Sequence, residues 1–581
     1  MCWPRSGTDS GGGCSVSRAQ KACAAVSAVA VVGLTGLWGA PAAGAVEPPQ
    51  IDVGATPPDG PPGPDQPMRQ GAFCPKVGTL PGTDYRVQPH YMDMLDLAEA
   101  WRFGRGAGQK VAVIDTGVTP HPRLTDLVGG GDYVMPGDGL SDCDAHGMIV
   151  ASLIAAQPAD GKTPLPPPRQ ARRPETVPTT EAPPPPPPPQ TVTVQLPPPP
   201  PPPPPDGASW HPRATPTVVV PAGHPKLSPQ SPAPGPDDPV PPAPPGPPEP
   251  PPPPAPAADG FSGVAPDVQV ISIRQSSKAF SPKDAFAGNQ DPATRRKAGD
   301  IRTMARAIVH AANMGATVIN ISEVSCMSAT DMIDQRDLGA AIHYAAVDRN
   351  AVIVAAAGNV GNESAAMGND CKQNPIYNPL NPNDPRDWAG VTTVVTPAWF
   401  SDYVLTVGEV DATGAPLDGS VAGPWVSIAA PGTDIESLSP RDDGLMNAVE
   451  GSKNTLVPQS GTSFSAAIVS GVAALVRAKY PQLTAHQVIN RLLSTARAPA
   501  RGVDNQVGHG IVDPVAALTY DLPPGEPVGP QHLAAPLVLA PPKVGRDMTP
   551  VWVAAAGVGG LALVCSLVLG SAALMRRRGA R

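Results

Sequence analysis

Lys110-Val111-Ala112-Val113-Ile114-Asp115-Thr116-Gly117 is a run of apolar, mostly β-branched residues that stops at a carboxylate and a glycine turn. Apolar side chains at consecutive positions describe a strand covered on both faces. Runs of the same kind recur at Val268–Ile273, Val318–Ile321, Val352–Ala356 and Val404–Val407. Helix-like segments lie between them, such as Ile301–Met314 and Leu338–Asp348. Strands separated by helices predict an α/β fold, a parallel sheet flanked by helices. In such sheets functional groups gather beyond the carboxyl ends of the strands, which is where Asp115 falls.

Composition divides the chain around this stretch. It has 581 residues, 84 of them proline and 4% aromatic. The proline is concentrated in a few stretches, so the folded part is smaller than the whole. Residues 1–45 read as a signal peptide: Arg5, Arg18 and Lys21 precede an apolar stretch, and Ala43-x-Ala45 fits a cleavage site. An uncleaved anchor is the alternative. Residues 46–69 read as an irregular extension and 70–521 as one globular domain. A proline-rich insertion, 157–260, interrupts that domain and contains Pro183–Pro189 and Pro197–Pro205. Proline lacks a backbone donor and fixes φ, so this stretch forms neither helix nor sheet. It reads as a tolerated surface loop, with a docking arm as the alternative.

Residues 522–550 form a second proline-rich linker. Residues 551–575 carry no charge and are long enough to cross a bilayer core of about 30 Å. Arg576, Arg577, Arg578 and Arg581 follow, and clustered arginines stay in the cytoplasm. The reading is a single-pass protein of the cell membrane. It holds the bilayer through its C-terminal helix, with the globular domain outside and a basic tail, 576–581, inside.

A net charge of −9 without a basic patch gives no reason to expect nucleic acid as a partner. Outside the leader and the membrane span the cysteines are Cys74, Cys143, Cys326 and Cys371. An even set in an oxidising compartment predicts two disulfides, with three pairings open. No Cys-x-x-Cys spacing suggests zinc. Asp142, Asp144 and Asp434 lack the spacing of a calcium loop and read as solvated surface. No metal and no cofactor is expected.

Three further patterns join Asp115-Thr116-Gly117. Asp144-Ala145-His146-Gly147 opens an apolar helix. Ser460-Gly461-Thr462-Ser463 opens another, and Ala356-Ala357-Gly358-Asn359 places an amide just past an apolar strand. A serine hydroxyl needs an adjacent base to act as a nucleophile near neutral pH. Histidine supplies one, and a buried carboxylate fixes its tautomer. Asp115, His146 and Ser463 are the candidate triad. Asn359 and the Ser463 backbone amide are candidate oxyanion donors. Taken singly, each has a plain structural reading: Asp115 as a turn former, His146 as a packed histidine, Ser463 as a helix cap.

In this order the patterns resemble the subtilisin-like serine proteases. The resemblance implies peptide-bond hydrolysis through an acyl-enzyme on a protein or peptide substrate. It also implies that Asn320, Ile321 and Ser322 lie beside the substrate cleft. The leader, the extension carrying Cys74, the linker and the single C-terminal helix are similar to the mycosins, proteases associated with type VII secretion. The long insertion resembles one paralogue group among them. That likeness implies disulfides Cys74–Cys143 and Cys326–Cys371, an extension that wraps the domain, and a membrane-embedded type VII secretion complex as partner. A chiefly structural role in that complex, with proteolysis dispensable, is the competing expectation. The sequence departs from the subtilisin pattern at Met148, where threonine is common, and in Phe464-Ser465-Ala466-Ala467, where Ala467 replaces a proline.

Overall fold

The computed structural model describes residues 46–160, 162–163, 258–283, 291–361, 371–376, 383–451, 455–500, 502–534 and 548–578. The expected signal peptide and most of the proline-rich insertion lie outside the described residues.

The chain divides into two compact units, Met1–His532 and Leu533–Arg581. The first is built on seven parallel strands: β1 (Lys110–Asp115), β2 (Leu127–Asp132), β3 (Gln269–Arg274), β4 (Val318–Ile321), β5 (Val352–Ala356), β6 (Val404–Val410) and β7 (Val426–Pro431). Their order across the sheet is β7-β6-β5-β4-β1-β3-β2. β1 sits between β4 and β3, with Val113 opposite Asn320 and Asp115 opposite Arg274. The apolar runs are explained by their two faces. Val111 and Val113 join one core with helix α1 (His146–Ala155), while Ala112 and Ile114 join another with helix α2 (Pro292–Asn313).

Helix α2 begins earlier than its apolar face suggests. Asp291 caps it, accepting from Thr294 N at 2.9 Å, and Pro292 fills the first turn, where its missing N–H costs nothing. Helix α3 (Arg336–His343) continues into a wider turn at Tyr344–Asp348. Helix α4 (Thr462–Lys479) runs through the centre of one layer and is buried over nearly all its length. Here Ala467 replaces a proline without interrupting the helix, since alanine keeps its backbone donor.

The extension is irregular in backbone, apart from one turn at Val53–Ala55 and the start of a short strand at Met68–Gln70, yet it is packed. Ile51 is 1% exposed within the α3 core, and its N–H donates to His532 O at 2.7 Å. Asp59 accepts from Asn313 and bonds the His310 ring, both on α2. Asp65 accepts from Arg302 and Arg306 on the same helix. Met68–Gln70 then pairs antiparallel with Phe280–Pro282. The disulfides are Cys74–Cys143 and Cys326–Cys371. The start of the expected linker is likewise laid on the domain: His532 bonds Asp402, and Thr484 donates to Pro527 O.

One buried guanidinium closes the base of the insertion. Arg123 donates to Gln157 O on the outgoing side, and to Asp259 and Phe261 O on the returning side, at 2.6–2.8 Å. The insertion therefore leaves and re-enters the domain at one place.

The second unit contains helix α5 (Thr549–Arg578), whose mean hydropathy reaches 2.2 and which is long and apolar enough to cross a membrane. It includes the expected 551–575 span and ends in Arg576, Arg577 and Arg578.

Candidate active site

β1 delivers Asp115 to the carboxyl edge of the sheet, fully buried. The turn after it is shaped by Gly117, at φ +97°, where a Cβ would lie 2.2 Å from Ser141 O. Thr116 Oγ1 accepts from Gly147 N at 2.8 Å and donates to Asp142 at 2.9 Å. Gly147 approaches the Gly117 backbone so closely that a Cβ would sit 2.1 Å from its carbonyl oxygen. The two motifs are thus joined backbone to backbone, and both glycines are required by that approach.

Asp142 and Asp144 are not the solvated surface expected from sequence. Asp142 is 2% exposed and caps α1, accepting from Ala145 N and Met148 N at 2.8 Å each. Burial, with Asp144 and Asp115 nearby, pushes it up to about 7 against the donors that favour its charge. Asp144 is buried and accepts from Ser277 and Lys278 N. Only Asp434 of the three is exposed. Met148 is buried in the core below the cap.

The register of α1 brings His146 against Asp115: His146 Nδ1–H donates to Asp115 Oδ1 at 2.7 Å. The same oxygen accepts from Thr116 N at 2.7 Å. Burial lowers the imidazole, but the charge and hydrogen bond of Asp115 and the charge of Glu323 outweigh it, with Lys278 opposing; His146 is pushed up to about 9.

Ser463 lies in the first turn of α4. Its hydroxyl donates to Ser322 O at 3.1 Å, not to His146. The ring of the next residue, Phe464, is 5.3 Å from the imidazole. The serine-bearing turn is therefore beside the Asp115–His146 pair, with the hydroxyl turned toward β4. Phe464, a departure from the usual pattern, supplies that ring contact.

Asn359 is held at the foot of the same turn. Its Oδ1 accepts from Thr462 N at 3.0 Å and Thr462 Oγ1 at 3.2 Å, while Gly358 N donates to Thr462 Oγ1 at 3.1 Å. Its Oδ1 is thereby engaged on the helix that carries Ser463. Asn320 and Ser322 tie β4 to α4: Asn320 donates to Ser322 Oγ and accepts from Ser470. Ile321 is buried in the opposite core.

The sequence reading missed two carboxyl groups. Glu323 follows Ser322 directly, and a charge closing an apolar strand was the available signal. Its carboxylate, one from Asp115 and a His146 ring nitrogen lie within 4.8 Å of one another. These are the side chains, among the described residues, that could hold a metal ion, but the Asp115–His146 bond already occupies the pair. Burial and Asp115 push Glu323 up, with His146 and Lys278 opposing. Glu409, 3% exposed, sits beneath the turn preceding Ser463 and is pushed up to about 7 by burial. A Cβ at Gly432 would lie 2.6 Å from Ser465 Oγ and 2.9 Å from Glu409 Oε1, so the two polar groups flank that glycine.

A carboxylate, an imidazole and a serine at a helix start, on the edge of a seven-stranded parallel sheet, define a serine hydrolase of the subtilisin type. The subtilase family profile matches residues 106–166 and 254–510. The chain belongs to the subtilases and, within them, to the mycosins. It is 58% identical to Mycosin-5 of Mycobacterium tuberculosis over 92% of this chain and 93% of that one. It is 51% identical to Mycosin-2 of the same organism, over 90% and 93% respectively. Among solved structures, a chain of an intact ESX-5 inner membrane complex is 56% identical, covers 91% of this chain and 100% of its own, and superposes with a TM-score of 0.66. The protein is accordingly a subtilisin-like serine endopeptidase, anchored in a membrane.

Proposed function

We propose that this endopeptidase works outside the cytoplasmic membrane, as a component of a membrane-embedded type VII secretion complex, with Asp115, His146 and Ser463 as its triad. The observation that carries the catalytic part is the 2.7 Å bond between His146 and a fully buried Asp115, beside the turn that bears Ser463.

In this reading the Ser463 hydroxyl swings from Ser322 O to the neutral imidazole. His146 takes its proton as Oγ attacks the substrate carbonyl. Asp115 holds the tautomer and stabilises the imidazolium. The oxyanion is received by Ser463 N–H, which no carbonyl of the helix occupies, and by the Asn359 amide. His146 then protonates the departing amine, and water, deprotonated by the same imidazole, cleaves the acyl-enzyme. Asn320, Ile321 and Ser322 form the strand end beside the cleft, with the Ile321 side chain on the far face of the sheet.

The domain organisation proposed is a leader, 1–45, an extension, 46–69, a protease domain, 70–521, with its insertion, 157–260, a linker, 522–550, a span, 551–575, and an internal tail, 576–581. The arginines after the span support a cytoplasmic C-terminus. Association with a secretion complex is supported by the likeness to a chain of the ESX-5 assembly.

Rapid acid quench with a peptide ester tests the chemistry. An acyl adduct on the peptide containing Ser463 is expected, absent in Ser463→Ala; turnover with no such adduct would sink the mechanism. That same likeness also favours a second reading, a structural subunit with dispensable proteolysis. Secretion at parental level by Ser463→Ala, with loss on deletion, would select it.

A further inference from the structure

We propose that Glu323 is a specificity-determining residue that receives a cationic side chain of the substrate beside the scissile bond. This deepens, and rests on, the endopeptidase reading above.

Glu323 is placed by two neighbours. Ser322, before it, offers its carbonyl to Ser463, and Val324 and Ser325, after it, continue into the segment that carries Cys326. Its side chain borders a cavity of about 70 Å³ lined also by Met68, Gln275, Ser276, Met304 and Val324. At the other end its carboxylate is within 4.8 Å of the Asp115 and His146 atoms. A substrate side chain entering this cavity therefore meets Glu323 while its backbone is next to the reacting groups.

The other acids of the cavity already have partners. Asp65 is paired with Arg306 at 2.6 Å and Arg302 at 3.3 Å, and Asp300 with Arg296 at 3.9 Å. Glu323 has no ion pair within 4.0 Å among the described residues. His146, when protonated, and Lys278 are the cations of the protein whose fields reach it, neither of them bonded to it, and Ser276 is the hydroxyl that faces it. A partly buried carboxylate beside a second carboxylate, without a bonded cation, is costly as it stands. A lysine or arginine of the substrate would supply that cation. An acidic side chain would meet Glu323 and Asp115 together, and a neutral one would leave the carboxylate unpaired. The cavity therefore selects by charge more than by shape.

Peptidyl phosphonate probes test this on the full-length protein in detergent. Probes carry either lysine or its near-isostere methionine at each position flanking the phosphonate, and the rate of Ser463 labelling is read for each. At one position the parent is expected to favour lysine by about 10- to 100-fold, the range of one charge-assisted hydrogen bond, and Glu323→Gln to reduce that ratio to below about 3-fold. Glu323→Asp, which keeps the charge, is expected to retain part of the preference. Because the readout is a ratio of two probes on one protein, a partly inactive preparation does not change it. A parent with no lysine preference at any position, or a preference that survives Glu323→Gln, overturns the proposal. A simple alkyl fluorophosphonate applied to the parent separates the two levels. Labelling of Ser463 without lysine preference defeats this inference alone, and no labelling by any probe defeats the endopeptidase reading with it.

Discussion

Lowering the pH from about 9 to about 7 should silence the site without unfolding it. The base is His146, pushed up to about 9; burial opposes this shift, and Asp115 and Glu323 overcome it. A general base acts in its neutral form. Two units below such a value only about 1% of the imidazole is neutral, so kcat/KM should rise about tenfold per pH unit from about 7 and level off near 9. Stability should run the other way. A histidine whose folded value exceeds its unfolded one, 6.5, stabilises fully below 6.5, and that contribution is lost as pH rises through about 9. The shift corresponds to about 3 kcal/mol. Asp142, Glu409 and Glu436 are pushed up only to about 7, below the window in which His146 titrates. The assay is kcat/KM on a fluorogenic peptide across this range, with Ser463→Ala as blank, and with Asp115→Asn to remove the chief upward influence. A plateau already reached at pH 7, or an Asp115→Asn limb unmoved from the parent's, would show that Asp115 does not raise the base.

Three other outcomes follow from the structure. Asn359→Ala should lower kcat by about 10²–10³ with little change in KM, the scale known for an oxyanion donor in this type of site, as steady-state kinetics would show. Arg123→Ala should destabilise by about 3–5 kcal/mol, because Asp259 and two carbonyls at the base of the insertion lose a buried partner; denaturant unfolding would reveal a lower midpoint. Glu409 is raised from 4.5 to about 7 by burial, so the folded state holds its proton longer and stability falls as pH rises from 4.5 to about 7. Glu409→Gln should remove up to about 3 kcal/mol of that decline, read as the difference between the two unfolding curves at each pH.

What could be read from sequence was what is local. Val111–Ile114, Val318–Ile321 and Val352–Ala356 declare buried strands because both their faces are apolar, and the triad motifs are short and stand at the ends of such elements. Sheet order was not legible, since nothing in β1 states that β4 and β3 are its neighbours. Ile51 sits in a segment with no periodicity, yet it fills a core position, because burial of one side chain needs no regular backbone. Asp142 and Asp144 look like surface until the Thr116 hydroxyl and the α1 amides are placed around them. Arg123 and the two ends of the insertion are far apart in the chain, and only the fold makes them partners. Glu323 escaped notice for the same reason, its meaning coming from Asp115 and His146 across the edge of the sheet.

The most direct test is mass-spectrometric mapping of a fluorophosphonate adduct on the purified protein at alkaline pH. One adduct is expected, on Ser463, at least a hundredfold slower to form in His146→Ala, the scale of losing a general base. An adduct on another serine, or Ser463 labelled as fast without His146, would contradict the triad.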